Sequence, residues 1–249
     1  MRPVGAVIFD WGGTLTPWHT VDVRAQWAHT YAAHVHPDDA ELAEALTDAL
    51  CEADAHHWRL GREEQRSSTM EQVLAHACAA VGLDVAAVES PAVRATYEQW
   101  WEPHTFTDPH VLPLWTWLRE QGIRVGVLSN TIWSRDYHRG LFARDGVLDL
   151  IDGDVYTSEL DVVKPHPEAF LAAAEAVGTE PQDCVYVGDR LFEDVHGPHQ
   201  VGMRTVHIPH SEIPVDQTVA VDVTPHAVAH RLADIAGIGQ GWRAAAARA

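Results

Sequence analysis

The stretch that most constrains the fold is an apolar run, Val4–Phe9, that ends in Asp10 and is followed by Trp11 and two glycines. A short run of this kind is typical of a strand buried on both faces of a parallel sheet. Ligands of open α/β sheets bind beyond the carboxyl ends of the strands, and glycines there let the backbone approach a ligand closely. Asp10 is therefore predicted to be a nucleophile or a metal ligand, and capping of a turn is the alternative.

The charge of the chain limits the ligands that it can attract. Its formal net charge is −19 at pH 7, so neither a nucleic acid nor an anionic membrane is an expected partner. Three unclustered cysteines predict neither a disulfide framework nor a cysteine zinc site. Because the sequence shows no signal-peptide pattern and no apolar run of transmembrane length, we expect a soluble, cytoplasmic protein.

Residues 17–103 show helical patterns and no strand pattern. Apolar residues recur at helical spacing in four segments, which are 20–36, 38–60, 70–81 and 84–101. Ser67-Ser68-Thr69 can cap the third helix, and Gly82 can end it. These patterns predict an all-α domain inserted after the first strand, with 1–16 and 104–249 forming the core.

The rest of the chain alternates between helix and strand patterns. Such alternation predicts parallel strands joined by right-handed crossovers, and hence an α/β, Rossmann-like core of three layers. Further strands are predicted over 123–128, 151–156, 184–187, 204–208 and 219–223. Helices are predicted over 109–121, 133–143, 167–177, 194–201 and 225–235, with a frayed tail after Gly237.

Three predicted strands end in polar residues, which should converge at one edge of the sheet. The first ends in Asp10, the second in Ser129-Asn130 and a later one in Asp189. Lys164, the only lysine of the chain, lies in a loop that can reach the same edge. A positioned cation in a cleft indicates an anion site, so this role is favoured over a solvated surface role.

The chemistry of these residues suits phosphoryl transfer. Asp10 and Asp189 are hard oxygen ligands for Mg²⁺, and Asp194 can hold a metal-bound water. Ser129 can hold phosphoryl oxygens, while Lys164 can offset the negative charge of the nucleophile and the phosphate.

Four motifs, in this order, resemble the haloacid dehalogenase superfamily over about Val4 to Ile208. They are Phe9-Asp10-Trp11-Gly12-Gly13-Thr14-Leu15, Leu128-Ser129-Asn130, Lys164-Pro165 and Val187-Gly188-Asp189-Arg190-Leu191-Phe192-Glu193-Asp194. The resemblance implies that the helical insert is a cap, which closes over the site and selects the substrate.

The same resemblance implies a role for each motif residue. Asp10 would form a covalent aspartyl intermediate, and Lys164 would stabilise it. The other implied roles are transfer-group orientation by Thr14 and Ser129, a catalytic part for Asn130, substrate binding by Gly13, and Mg²⁺ binding by Asp10, the Gly12 carbonyl, Asp189 and Asp194.

One position departs from the phosphatases of this superfamily. They carry a second Asp two residues after the nucleophile, which protonates the leaving group and then activates water, and this chain has Gly12 there. A positioned acid/base contributes about 10²- to 10⁴-fold. Its loss therefore raises the barrier by roughly 3–5 kcal/mol. The metal ligand is retained in principle, because glycine supplies the same backbone carbonyl.

Three functions follow from this departure. The first, which we predict, is a Mg²⁺-dependent hydrolase, most consistent with a phosphatase or phosphotransferase that acts on a small phosphorylated metabolite. Its substrate would have a leaving group that is a weak base, or His19 would protonate the leaving group. The second is a carbon-centre hydrolase of the dehalogenase type, which needs no acid at this position. Dehalogenases of the superfamily carry an arginine early in the cap, and this chain has none between Arg24 and Arg59. The third is a catalytically weak binding or regulatory protein, although a buried charge cluster is costly to keep without chemistry.

The insert offers two further substrate-binding candidates. Arg59 and Arg62 suit carboxylate or phosphate groups, and Gly61 between them suggests a turn. The alternative is a solvated helix end, with Trp58 in the core of the insert. A monomer and a homodimer are both compatible with the sequence.

Overall fold

The computed structural model describes residues 3–35, 37–209, 211–214 and 217–246. The chain divides into two compact units. One comprises Met1–Trp18 and Phe106–Ala249, and the other is His19–Thr105. The second unit is therefore an insertion into the first.

A parallel sheet forms the centre of the first unit. Its strands are β1 (Ala6–Phe9), β2 (Arg124–Ser129), β3 (Gly153–Tyr156), β4 (Cys184–Gly188), β5 (Arg204–His207) and β6 (Ala227–Val228), in the spatial order β3-β2-β1-β4-β5-β6. All neighbouring strands are parallel. Phe9 lies opposite Val127 on one side and Val187 on the other. This register places Asp10 beside the carboxyl ends of β2 and β4.

Helices cover both faces of this sheet. Alternate residues of a strand point to opposite faces, so Val7 and Phe9 enter one core while Ala6 and Ile8 enter the other. Trp115 belongs to the first of these cores. The predicted three-layer α/β architecture is confirmed.

Most helices of the second unit begin after a residue whose side chain caps them. The helices are α1 (Val23–Trp27), α2 (Ala33–Val35), α3 (Ala40–Glu64), α4 (Met70–Val81), α5 (Val85–Val88) and α6 (Pro91–Trp101), with a π-helical turn at Ala28–Ala32 and a 3₁₀ turn at Glu102–His104. Thr69 and Gln72 form a reciprocal capping box at the start of α4, and Gly82 ends this helix with a φ of 68°. Both ends of α4 agree with the prediction.

The helices of the first unit lie between its strands, except the last helix, which follows β6. They are α7 (Val111–Glu120), α8 (Arg135–Arg144), α9 (Pro167–Ala176), α10 (Gly197–Gln200) and α11 (Ile235–Ala246), with a π-helical turn at Leu191–His196 and 3₁₀ turns at Leu148–Leu150, Thr157–Glu159, Pro181–Asp183 and Leu232–Asp234. Across the ranges that the structure describes, no helix has the length and apolar character needed to cross a membrane.

The C-terminal elements differ from the prediction. Residues 219–223 form no strand, and the sixth strand is β6, which pairs with β5 through Ala227 and Val228. The helix predicted over 225–235 is wrong as well, because its first part is this strand. Up to Ala246, the tail after Gly237 belongs to the helix that spans Ile235–Ala246, which begins at the fully buried Ile235 and contacts α7, and the fraying expected there remains a prediction.

Candidate active site

Four charged side chains are buried together at the carboxyl edge of the sheet. Asp10 follows β1, Asp189 follows β4, Asp194 lies in the π-helical turn after it, and Lys164 precedes α9; none is more than 5% exposed. The three carboxylates each have an oxygen within 4.8 Å of the others. Burial of like charges at this separation is unfavourable unless a cation compensates them.

Lys164 supplies one such cation, and its three N–H groups are all engaged. Its Nζ donates to Asp10 Oδ1 and to Asp194 Oδ1, each at 2.7 Å, and to the hydroxyl of Tyr186 at 3.0 Å. The Tyr186 hydroxyl in turn donates to the carbonyl oxygen of Leu128 at 3.1 Å. The lysine is therefore held in one orientation by partners on three different segments.

The second oxygen of the predicted nucleophile has a weaker partner. Asp10 Oδ2 accepts a hydrogen bond from the Thr14 hydroxyl at 3.2 Å, and the same hydroxyl lies 3.4 Å from Asp189 Oδ1. Thr14 is fully buried, and Ser129, at the end of β2, is 2% exposed. The structure thus brings Thr14 and Ser129 to the edge of the sheet where Asp10 lies.

Asn130 contacts the backbone of Lys164 rather than the charged cluster. Its Nδ2 donates to the Lys164 carbonyl oxygen at 3.1 Å, and its Oδ1 accepts from the Lys164 N–H at 2.8 Å. The catalytic part predicted for Asn130 is therefore best described as positioning of Lys164.

The carboxylate of Asp189 is incompletely satisfied. Its Oδ2 is buried and has no hydrogen-bond partner among the described residues. Gly13 allows this carboxylate to approach, because its φ is 85° and a Cβ there would lie 2.3 Å from Asp189 Oδ2. An unpartnered carboxylate oxygen beside two further carboxylates is what a divalent cation would complete.

Asp194 differs from Asp189 because both of its oxygens have partners. Oδ1 accepts from Lys164, and Oδ2 accepts from the backbone N–H of Arg190 at 3.0 Å. Gly188 leaves room for this side chain, since a Cβ at Gly188 would lie 2.3 Å from Asp194 Cγ.

The missing acid leaves open space. A Cβ at Gly12 would have no heavy atom within 4 Å, and its φ lies outside the left-handed region. The backbone at Gly12 therefore accommodates a larger residue, in contrast to that at Gly13.

Burial and charge shift the pKa values of the cluster. Burial raises the pKa of Asp10, and the neighbouring Lys164 opposes this rise. Burial, Asp10 and Asp194 together raise the pKa of Asp189 well above its usual range, while Arg190 and then Lys164 oppose the rise. Burial alone would lower the pKa of Lys164, but Asp10 and Asp194 outweigh it and raise this pKa well above its ordinary value. Lys164 is accordingly charged at neutral pH.

The remaining candidates lie in the second unit, where the structure gives only their local contacts. His19 packs against His104, with 4.9 Å between ring centroids. Arg59 and Arg62 are exposed on α3, and Arg59 Nη2 lies 3.4 Å from Glu52 Oε1. The substrate-binding roles of His19, Arg59 and Arg62 remain predictions.

Two predictions made for the surroundings of these arginines are wrong. Gly61 forms no turn, because it lies inside α3 between strong helix formers. Trp58 is 52% exposed, since the buried face of α3 carries Leu46, Leu50 and Ala53 and Trp58 projects from another face.

Tyr186 and Gly188 contribute to the site but were not singled out from the sequence. A tyrosine inside the otherwise apolar strand Cys184–Gly188 was a usable signal, because a buried hydroxyl requires a partner. The sequence holds no comparable signal for Gly188, because the side chain that it accommodates is that of Asp194, in the following turn.

Comparisons with known proteins agree with this geometry. Residues 4–202 match the haloacid dehalogenase-like hydrolase family. A glyceraldehyde 3-phosphate phosphatase from Methanopyrus kandleri is 35% identical over 100 residues, which are 40% of this chain and 42% of that protein. The match thus spans less than half the length of this curated relative.

Two solved structures share the fold over nearly their whole length. A HAD phosphatase from Thermococcus onnurineus has a TM-score of 0.60 at 24% identity, covering 94% of this chain and 97% of that one. A 2-haloacid dehalogenase from Pseudomonas syringae pv. Tomato DC3000 has a TM-score of 0.66 at 22% identity, covering 96% and 99%. With its matched range and its cluster of Asp10, Lys164 and Asp189, the chain belongs to the haloacid dehalogenase-like hydrolase family.

Proposed function

We propose that this protein is a Mg²⁺-dependent phosphatase that hydrolyses a small phosphorylated metabolite through Asp10. The observation that carries the proposal is the pairing of Asp10 with Lys164 beside the unpartnered oxygen of Asp189. The curated phosphatase relative supports the same reaction class. We expect a cytoplasmic enzyme that is a monomer or a homodimer.

The residues present fit a hard divalent cation. Asp10 and Asp189 would hold Mg²⁺ directly, together with the backbone carbonyl of Gly12. Asp194 would support the site through its hydrogen bonds with Lys164 and the backbone N–H of Arg190. When bound, Mg²⁺ would polarise the phosphoryl group and neutralise part of its charge. The unpartnered Asp189 Oδ2 supports this fit, because a buried lone carboxylate oxygen is costly.

The contacts of the chain suggest how the transfer would proceed. Asp10 Oδ1 is held by Lys164 at 2.7 Å, so Oδ2, with its longer bond to Thr14, is the oxygen available to attack phosphorus. A new P–O bond forms to Oδ2 as the ester P–O bond breaks, and the leaving oxygen departs with the bonding pair. Water then attacks phosphorus as the bond between phosphorus and Oδ2 breaks, which regenerates the Asp10 carboxylate. Of the two water protons, one remains on the released phosphate and the other passes through solvent to the departed oxygen.

Charge stabilisation in these steps would come from fixed groups. The ammonium of Lys164 contacts the nucleophile throughout, and the hydroxyls of Thr14 and Ser129 would orient the transferred group. Because Asn130 and Tyr186 hold Lys164 on two sides, little reorganisation would be needed during the reaction.

Gly12 and the insert would define the accepted substrates. Without an acid at position 12, esters whose leaving group is a weak base would react fastest. We infer that residues 17–103 act as a cap that selects the substrate, with His19, Arg59 and Arg62 as its contact candidates and with core boundaries at 1–16 and 104–249.

The direct test is turnover of p-nitrophenyl phosphate by the purified protein, with and without Mg²⁺. This ester is suitable because its leaving group needs almost no protonation. We expect hydrolysis that requires Mg²⁺ and is lost in Asp10→Asn, while the control Asp149→Asn, at an exposed position, retains it. Silence of wild type and of Gly12→Asp alike would contradict the proposal and make carbon–halogen substrates the next class to examine.

A further inference from the structure

Arg190 lies directly after Asp189 and is fixed by contacts on three sides. Its backbone N–H donates to Asp194 Oδ2 at 3.0 Å, and its Nη1 donates to the carbonyl oxygen of Gln217 at 2.7 Å. The guanidinium carbon lies 4.9 Å from the ring centroid of Trp18. The guanidinium is therefore held against an aromatic ring, on a residue whose backbone N–H contacts the carboxylate cluster.

Two donors in this contact lack an acceptor. Arg190 Nη2 and Trp18 Nε1 are both buried, and neither has a hydrogen-bond partner in the part of the chain that the structure describes. A buried donor that loses its water without gaining an acceptor carries an energetic cost, which is larger when the donor is charged. A ligand that brings an acceptor would remove this cost.

The positive charge of Arg190 affects the active site, because it opposes the rise in the pKa of Asp189. Among the groups that lower the pKa of Asp189, Arg190 ranks ahead of Lys164. All three N–H groups of Lys164 are occupied by Asp10, Asp194 and Tyr186. An additional anionic group of a substrate therefore needs another cation, and the net charge of −19 makes a local one necessary.

We propose that Arg190 is a specificity determinant that binds a carboxylate of the substrate, so that the preferred substrates are small phosphomonoesters with a carboxylate close to the phosphate. The planar guanidinium matches a carboxylate, and its Nη2 offers an N–H group that has no acceptor among the described residues. The inference rests on the proposed phosphatase function, because it assumes that the phosphoryl group lies at Asp10.

The test compares two ligands that differ only in the group of interest, 2-phosphoglycolate and 2-hydroxyethyl phosphate. Binding is measured by calorimetry with Mg²⁺ in the Asp10→Asn variant, which cannot form the covalent intermediate. We expect 2-phosphoglycolate to bind about 10-fold or more tightly than the alcohol, as for a hydrogen bond to a charged group. Adding Arg190→Gln should abolish this preference and change the affinity for 2-hydroxyethyl phosphate less than about 3-fold.

Two further variants separate binding from structure. Trp18→Phe keeps the stacked ring and removes the N–H, and should reduce the preference only partly. Arg231→Gln, at an exposed arginine paired with Asp234, should leave both affinities unchanged.

The contradicting outcomes are distinct. Equal affinity for the two esters before the Arg190 change would overturn the inference and leave the phosphatase proposal standing. Equal weakening of both esters by Arg190→Gln would also overturn it, because Arg190 would then only position Asp189 and Asp194. Binding of neither ester, together with no turnover of p-nitrophenyl phosphate by the wild type, would overturn the proposed function and this inference with it.

Discussion

The side chain of Asn130 forms two hydrogen bonds with the backbone of Lys164. Its Nδ2 donates to the Lys164 carbonyl oxygen at 3.1 Å, and its Oδ1 accepts from the Lys164 backbone N–H at 2.8 Å. The end of β2 is thereby connected to the loop that carries the only lysine of the chain. The ammonium group of Lys164 contacts Asp10. Asn130, which lies outside the charged cluster, therefore helps to position this ammonium group.

Replacing Asn130 by Ala should therefore lower kcat and leave KM nearly unchanged. Loss of two hydrogen bonds lets Lys164 move, and we expect kcat for p-nitrophenyl phosphate to fall about 10-fold or more, the cost of one or two net hydrogen bonds. Steady-state kinetics measure the effect. Gln200→Ala is the matched control, because Gln200 Nε2 donates to the neighbouring Pro165 carbonyl at 3.2 Å. An equal loss in both variants would contradict a specific role for Asn130.

Gly12→Asp should increase turnover of alkyl phosphates. The open space at Gly12 accommodates the side chain, which restores the acid/base at its usual place in the family. The gain should approach about 10²-fold for an alkyl ester and be smaller for an aryl ester, whose leaving group needs no proton. Ratios of kcat/KM for the two esters measure it. A uniform gain, or a uniform loss, would show that the new carboxylate does not act as an acid.

Gly188→Ala should destabilise the protein and reduce its activity. The new methyl group would lie 2.3 to 2.4 Å from the Asp194 side chain, so this buried carboxylate must shift. We expect a loss of about 1–3 kcal/mol in the free energy of unfolding, measured with urea.

Gly140→Ala is the control for this substitution. Gly140 lies in α8 with no heavy atom within 4 Å of a new Cβ. Alanine there should stabilise the helix by about 0.5–1 kcal/mol. Similar unfolding free energies for the two variants would refute the steric role of Gly188.

Asp189→Asn should stabilise the protein in the absence of metal. The folded state raises the pKa of Asp189, so this group favours folding below its unfolded pKa, and that contribution is lost as the pH rises through its folded pKa. Removing the carboxylate should raise Tm at pH 8 in EDTA and have little effect near pH 4. Mg²⁺ should raise the Tm of the wild type but not of the variant. A Tm gain from Mg²⁺ that survives in Asp189→Asn would contradict the assignment of Asp189 as a ligand.

The sequence was sufficient to predict the central sheet and the convergence of its polar ends. β1, β4 and the inner part of β2 are apolar, and each strand ends in or is followed by a polar residue, namely Asp10, Asp189 and Ser129. The neighbours of β1 in a parallel sheet then bring Asp10 and Asp189 together.

What the sequence could not specify depends on contacts between distant segments. Val219–Val223 alternates like a strand, but only Ala227 and Val228 pair with β5. The hydrogen bonds of Tyr186 and Asn130 to Lys164 likewise depend on how β4, the end of β2 and the loop before α9 pack together. Neither motif spacing nor periodicity encodes which donor meets which acceptor.

The most direct test of the account is to trap an aspartyl phosphate on Asp10. Rapid mixing of the wild type with Mg²⁺ and p-nitrophenyl phosphate, followed by an acid quench and borohydride reduction, would convert a phosphorylated aspartate to homoserine. Peptide mass spectrometry should then find homoserine at position 10, and none when the ester is omitted. Burst release of p-nitrophenol with residue 10 unmodified, or with the modification on another aspartate, would contradict the account.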